Sequence, residues 1–188
     1  MAQEKETRSI HQPLHSSLLT RLDPQYIAFH NTHLQYIPPS ETQPFDRSNP
    51  GPGPATYGSR PSVAVHKILD FAYGTHEEQK VRVFIPEPGA NEGKKRKKLP
   101  SLIWFHGGGW VMGGLNSENG FLTRVCRDVG CVVVSVNYRH APENVYPAAV
   151  EDIVAGYRWV LSEEGKEAIG GLGVDVGGGN VAVGGLSS

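Results

Sequence analysis

Leu99-Pro100-Ser101-Leu102-Ile103-Trp104-Phe105 is a short, almost unbroken apolar run, and it ends in His106-Gly107-Gly108-Gly109-Trp110. A run of that length without polar alternation reads as a strand buried on both faces, the kind found in a parallel sheet. Three glycines directly after it leave backbone N–H groups unobstructed and able to point at a developing negative charge. Downstream, 117–129 has helical spacing, with Phe121, Leu122, Val125, Cys126 and Val129 on one side. Cys131 to Val136 is a second apolar strand. Pro147 suits the first position of a following helix, whose buried face the spacing assigns to Val150, Ile153, Val154, Tyr157, Val160 and Leu161. A glycine-rich stretch, 170–179, leads to Val181-Ala182-Val183, read as a third buried strand. Strand, helix, strand, helix, strand is the alternation of a parallel α/β sheet.

Upstream of residue 99 the period is two. Val63, Val65, Ile68, Phe71 and Tyr73 suggest one strand and Val81, Val83 and Ile85 another, joined by a hairpin loop over 74–79. Residues 14–37 carry apolar positions with helical spacing in their first part, and Asp23-Pro24 marks a helix start. Residues 38–61 hold seven prolines and three glycines and read as a linker or surface arm. The expected organisation is therefore 1–62 as N-terminal helices with a Pro/Gly-rich arm, and 63–188 as an α/β core.

Composition narrows the function. The chain has 188 residues, 38% hydrophobic and 20% charged, with a net charge of −1, which removes the electrostatic argument for a nucleic-acid or anionic-membrane partner. The basic run Lys94 to Lys98 stands alone and reads as a solvated loop. No apolar run is long enough to span a membrane, and no signal peptide is visible. Cys126 and Cys131 read as buried free thiols, and together these features predict a cytoplasmic protein. Gly177 to Ala182 matches G-x-G-x-x-A, but it precedes a strand instead of opening a helix, so no dinucleotide site is expected. The pairs His11/His15 and His30/His33 lack further ligands in a convincing set; neither a metal nor a cofactor is expected.

Gly185-Leu186-Ser187-Ser188 carries four of the five positions of the G-x-S-x-G nucleophile elbow, directly after the third apolar strand. His106-Gly-Gly-Gly-Trp110, Tyr138-Arg-His-Ala-Pro-Glu143, Ala149-Val-Glu-Asp152 and Val183-Gly-Gly-Leu-Ser-Ser188 follow one another in this order. Together they resemble the α/β-hydrolase fold-3 family, the hormone-sensitive-lipase-like carboxylesterases. The resemblance covers roughly residues 60–188. His140 stands where that family usually has an apolar residue, and Leu186 where it commonly has a polar one.

The resemblance implies Ser187 as nucleophile, and an oxyanion hole from the backbone N–H groups of Gly108, Gly109 and Ser188. It implies support of that loop by His106, Gly107, Tyr138, Arg139, Glu143 and Asp152. On the residues alone, Asp152 reads equally well as a solvated first-turn carboxylate. Residues 14–37 resemble the family's cap helices. The expected substrate is a small-molecule carboxylic ester. The family's order of serine, acid and histidine places the last two after the nucleophile, and no such residue follows Ser187 within the 188. The resemblance thus implies the N-terminal portion of a hydrolase, ending at the elbow and inactive by itself. Such a portion would be prone to self-association through an incomplete sheet edge. A non-catalytic small-molecule-binding protein on the same scaffold is the alternative.

Overall fold

A computed structural model of the chain describes residues 8–44, 60–88, 99–172 and 180–187. The chain divides into two compact units, Met1–Tyr57 and Gly58–Ser188. In the first, α1 (Pro24–Thr32) begins where expected. The Asp23 carboxylate accepts from the N–H groups of Gln25 and Tyr26, with Pro24 in the first turn where no N–H is needed. Short 3₁₀ turns at Ser16–Leu18, Leu34–Tyr36 and Ser40–Thr42 complete it, the last within the stretch read as a linker.

The second unit is built on five strands: β1 (Lys67–Ala72), β2 (Lys80–Ile85), β3 (Ser101–Phe105), β4 (Val132–Val136) and β5 (Val181–Gly185). Their order across the sheet is β1-β2-β4-β3-β5. The β1–β2 and β2–β4 pairs are antiparallel, and β3 is parallel to both β4 and β5. Period-two patterning divides the core between two faces. On one, Val81, Val83, Ile85, Ile103, Val134 and Val136 pack with Trp159, Val160 and Ile169. These last come from α3 (Ala148–Leu161) and α4 (Glu163–Gly170). On the other, Phe84, Cys131 and Val133 pack with Leu122 and Cys126 of α2 (Asn119–Val129). Gly130, in the left-handed conformation with φ 69°, ends α2 and lets the chain turn into β4. Both cysteines are buried and free.

Three expectations need correction. The buried face of α3 carries Ala148, Ala149, Asp152, Gly156, Trp159 and Val160, while Val150, Val154 and Tyr157 are exposed. Val160, Ile153 and Leu161 do pack against the core, but small residues let the helix approach the sheet closely, so apolar spacing gave only half of the buried face. Pro147 is the residue before the helix, with φ −99°, and not its first turn. In α2, Phe121 and Val129 are likewise exposed. Among the described residues β5 is an edge strand, as the expected incomplete sheet edge has it: it pairs with β3, and Val183 and the following Leu186 are each 57% exposed. An apolar strand buries its side chains only if both neighbours and a covering helix are present. Helix α4 was missed, since its eight residues carry two glycines and little apolar periodicity. The basic loop 89–98, most of the glycine-rich stretch (173–179) and Ser188 lie outside the described residues.

Candidate active site

The site lies at the ends of the parallel strands. After β3 the chain enters the glycine loop, where Gly108 (φ 137°), Gly109 (φ 59°) and Trp110 (φ 63°) all have positive φ. Such a run is strained for ordinary side chains and explains two of the glycines. A Cβ on Gly108 would collide with the Met112 carbonyl oxygen, whereas one on Gly109 would meet nothing within 4 Å. The loop closes on itself through the Val111 and Met112 N–H groups, which donate to the Gly108 carbonyl at 3.2 and 3.0 Å.

After β5, Ser187 is exposed and holds φ 53°, a left-handed conformation rare for a residue with a side chain. The glycine loop touches this turn. A Cβ on Gly107 would run into the Leu186 carbonyl oxygen and lie 3.4 Å from Ser187 Cβ. Glycine at 107 thus permits the close approach of loop and turn. The structure brings together His106, Gly107 and Ser187 on one side, with Tyr138, Arg139 and Asp152 behind them.

His106 is fully buried. Its Nδ1 lies 2.9 Å from the Gly107 carbonyl oxygen and its Nε2 3.0 Å from Asn137 Oδ1. Its ring stacks on that of Tyr138, with centroids 4.3 Å apart, and the Tyr138 hydroxyl donates to the His106 carbonyl at 2.7 Å. Burial holds the imidazole below its ordinary pKa, outweighing the two oxygen acceptors; the nearby His140 acts in the same direction. Burial likewise raises the Tyr138 phenol to about 12. The Ala141 N–H donates to the Trp110 carbonyl at 2.9 Å. Segment 137–141 therefore grips the glycine loop at both of its ends.

That segment is in turn held by Asp152, 1% exposed on α3. Its carboxylate accepts from the Arg139 backbone N–H (2.9 Å), from Arg139 Nε and Nη2 (2.8 Å each) and from Gln79 Nε2 (2.7 Å). Glu78 Oε1 lies 2.6 Å from His140 Nδ1, and Tyr73 donates its hydroxyl to the Asn137 carbonyl at 2.7 Å. Glu143 sits exposed beyond Pro142, and the carboxylates of Glu78 and Asp152 hold this segment. Sequence reading did not single out Asn137, Tyr73, Glu78 or Gln79. The last three belong to the β1–β2 hairpin, which nothing local in the chain links to residues some sixty positions away. Asn137, directly before the Tyr138 motif, was the one within reach.

The Asp152 environment has a testable consequence. Burial tends to raise its pKa, but the hydrogen bonds from Arg139 and Gln79 outweigh burial and hold it below the ordinary value. The unfolded chain thus takes up the proton first as pH falls. The stabilisation is complete above the unfolded value of about 3.9 and disappears as pH drops through the lower folded value. Between about pH 5 and about pH 2.5, the urea midpoint should fall more steeply in the wild type than in Asp152→Asn. Parallel curves would remove Asp152 from this role.

A sheet that begins with an antiparallel hairpin and continues in parallel strands, with helices on both faces, is the architecture of a partial α/β-hydrolase fold. The comparisons agree. Residues 102–188 match the family described as the alpha/beta hydrolase fold. An AB hydrolase superfamily protein of Schizosaccharomyces pombe is 38% identical over 147 residues, covering 74% of this chain and 42% of that protein. The hyperthermophilic esterase from the archaeon Pyrobaculum calidifontis is similar at a TM-score of 0.50 and 34% identity, over 65% of this chain and 35% of that one. A solved arylesterase, at 23% identity, shares the fold with a TM-score of 0.64 over 88% of this chain and 50% of its own. Over residues 102–188 the chain is similar to the α/β-hydrolase fold family, and it spans about two fifths of the length of the S. pombe relative. Among the described residues there is no cluster of three or more His, Cys, Asp or Glu able to hold a metal, and no helix long and apolar enough to cross a membrane.

Proposed function

We propose that this chain carries the nucleophile and oxyanion half of a serine carboxylic-ester hydrolase. Ser187 Oγ, losing its proton to a general base, attacks the ester carbonyl; the acyl C–O bond breaks, the alcohol leaves with that proton, and water then hydrolyses the acyl-enzyme. The N–H groups of Gly108, Gly109 and Ser188 receive the negative charge that develops on the carbonyl oxygen. The observation that carries this reading is the positive φ of Ser187 at the end of β5, with Gly107 packed against the same turn. Both features are costly for a plain strand-end turn, and both are what a raised, accessible hydroxyl beside an oxyanion loop requires. The esterase activity named for the similar Pyrobaculum protein supports the same substrate class, a small-molecule carboxylic ester.

Without a general base the serine keeps its proton and is a weak nucleophile. The 188-residue chain alone is expected to turn over no p-nitrophenyl ester, and a version extended to supply an acid and a histidine is expected to do so. Failure of the extended version across short and medium acyl chains would overturn the reading.

The open edge at β5 leads to a second expectation. Its outer backbone groups are unpaired within the described sheet, and no charged residue occupies Val181–Gly185 to discourage another strand. Each exposed apolar side chain that becomes buried gains about 1.5–3 kcal/mol. The 188-residue chain is expected to elute in size exclusion well above its 20.4 kDa mass. A sharp monomer peak, with one cooperative unfolding transition, would show that the edge is tolerated.

A further inference from the structure

We infer that Glu78 and Gln79, in the turn between β1 and β2, are positioning residues for the glycine loop and act on it through segment 137–141. The consequence for catalysis rests on the ester-hydrolase reading above; the mechanical coupling does not.

The turn is internally braced. Tyr73 N–H donates to the Gln79 carbonyl and Gln79 N–H to the His76 carbonyl, each at 3.0 Å. The His76 N–H donates to Gln79 Oε1 at 3.0 Å, and the Glu78 N–H to His76 Nδ1 at 3.2 Å. A turn that only joins two strands needs no grip on anything beyond itself. This one reaches outward through three groups. The Glu78 carbonyl accepts from Asn137 Nδ2 at 2.8 Å. The Glu78 carboxylate takes His140 twice, at Nδ1 (2.6 Å) and at the backbone N–H (3.3 Å). Gln79 Nε2 donates to Asp152 Oδ1 at 2.7 Å, on the carboxylate that also holds Arg139. The residues so held are those that hold the glycine loop, through Asn137 to His106, Tyr138 to His106 and Ala141 to Trp110.

His140 makes the link directional. It is 1% exposed, and its Nε2 has no hydrogen-bond partner. Glu78 Oε1, 2.6 Å from His140 Nδ1, is the partner of the ring's other nitrogen. One side-chain hydrogen bond therefore secures a polar ring in a buried place. Without the Glu78 acceptor both ring nitrogens would be unsatisfied, and the ring relieves this only by moving. Ala141, the next residue, carries the bond to Trp110.

Amide hydrogen exchange on the 188-residue chain, read residue by residue by fragmentation mass spectrometry, tests this. In Glu78→Leu, which is apolar and has no acceptor, the Ala141 amide should exchange roughly tenfold to a hundredfold faster, the loss of a charge-assisted hydrogen bond. The Val134 amide, in the centre of β4, should change by less than about threefold. Glu78→Gln retains an acceptor oxygen and should restore most of the protection at Ala141. An unchanged Ala141 in Glu78→Leu, equal effects of Leu and Gln, or acceleration of Val134 in step with Ala141 would each overturn the inference. If Glu78→Leu fails to fold, Gln79→Ala serves: the Arg139 amide, bonded to Asp152, should exchange several-fold faster, and no change there overturns the inference equally. Exchange needs no substrate. Lost protection in the 188-residue variant, with no ester turnover by the extended version, would refute the proposed function and leave the coupling intact; retained protection beside turnover by the extended version would do the reverse.

Discussion

Replacing Ser187 by alanine, in a version of the protein extended to supply the acid and histidine, is expected to lower kcat for a short-acyl p-nitrophenyl ester by about 10⁴-fold or more. Ser187 occupies the turn that closes β5, with φ 53° and an exposed side chain. In such a triad the serine and its base act as one unit. Removing the hydroxyl eliminates the acyl-enzyme route and leaves only what binding and the oxyanion donors contribute to attack by water. Cysteine at 187 is the useful comparison: it keeps a nucleophile at the same place, so partial activity there beside none in the alanine variant ties the loss to the attacking atom. Equal turnover by the wild type and Ser187→Ala would remove Ser187 from the mechanism, and with it the functional meaning of the turn.

Gly108→Val, in the same extended version, is expected to lower kcat on the order of 10²-fold while KM changes little. Gly108 sits at φ 137°, which side-chain-bearing residues rarely adopt, and a Cβ there would collide with the Met112 carbonyl oxygen. The loop must re-form around the valine, and its N–H groups are turned away from the charge they would meet in the transition state. Those donors act mainly on the oxyanion and not on the ground-state carbonyl, so the loss belongs in kcat. Gly109→Ala provides the internal scale. Nothing lies within 4 Å of a Cβ at that position, and only the left-handed backbone, φ 59°, opposes it, at a cost of roughly 1–2 kcal/mol. Its effect should be smaller than that of Gly108→Val. A change confined to KM in Gly108→Val would mean that the loop binds substrate without serving the transition state.

The two predictions and the exchange experiment address successive layers of one structure. Ser187 and the glycine loop would meet the substrate. Asn137, Tyr138 and Ala141 hold the loop, and Asp152 and the hairpin turn hold that segment. Loss at the outermost layer should loosen the loop without touching the nucleophile, so Glu78 variants and Ser187→Ala are expected to differ in kind as well as in size.

By itself the sequence determined the alternation of strands and helices, the glycine loop after β3, the serine turn after β5 and the family resemblance. Each is written in local pattern: a continuous apolar run, a period of two, a glycine cluster or a serine flanked by small residues, all within a few positions of chain. It also determined that Arg139 and Asp152 belong to one constellation, though only through family resemblance; on the residues alone Asp152 read equally well as a solvated carboxylate. What only the tertiary structure decided depends on partners distant in the chain. The buried face of α3 follows from how closely Ala148, Ala149 and Gly156 let it approach the sheet, which apolar spacing does not encode. Glu78 and Gln79 looked like ordinary polar residues of a hairpin turn. Their bonds to His140 and Asp152 exist because the antiparallel pairing of β2 with β4 brings that turn beside the end of β4. Hydrogen bonds between groups more than sixty residues apart leave no periodic trace in the chain, so they became visible only once the sheet had set their positions.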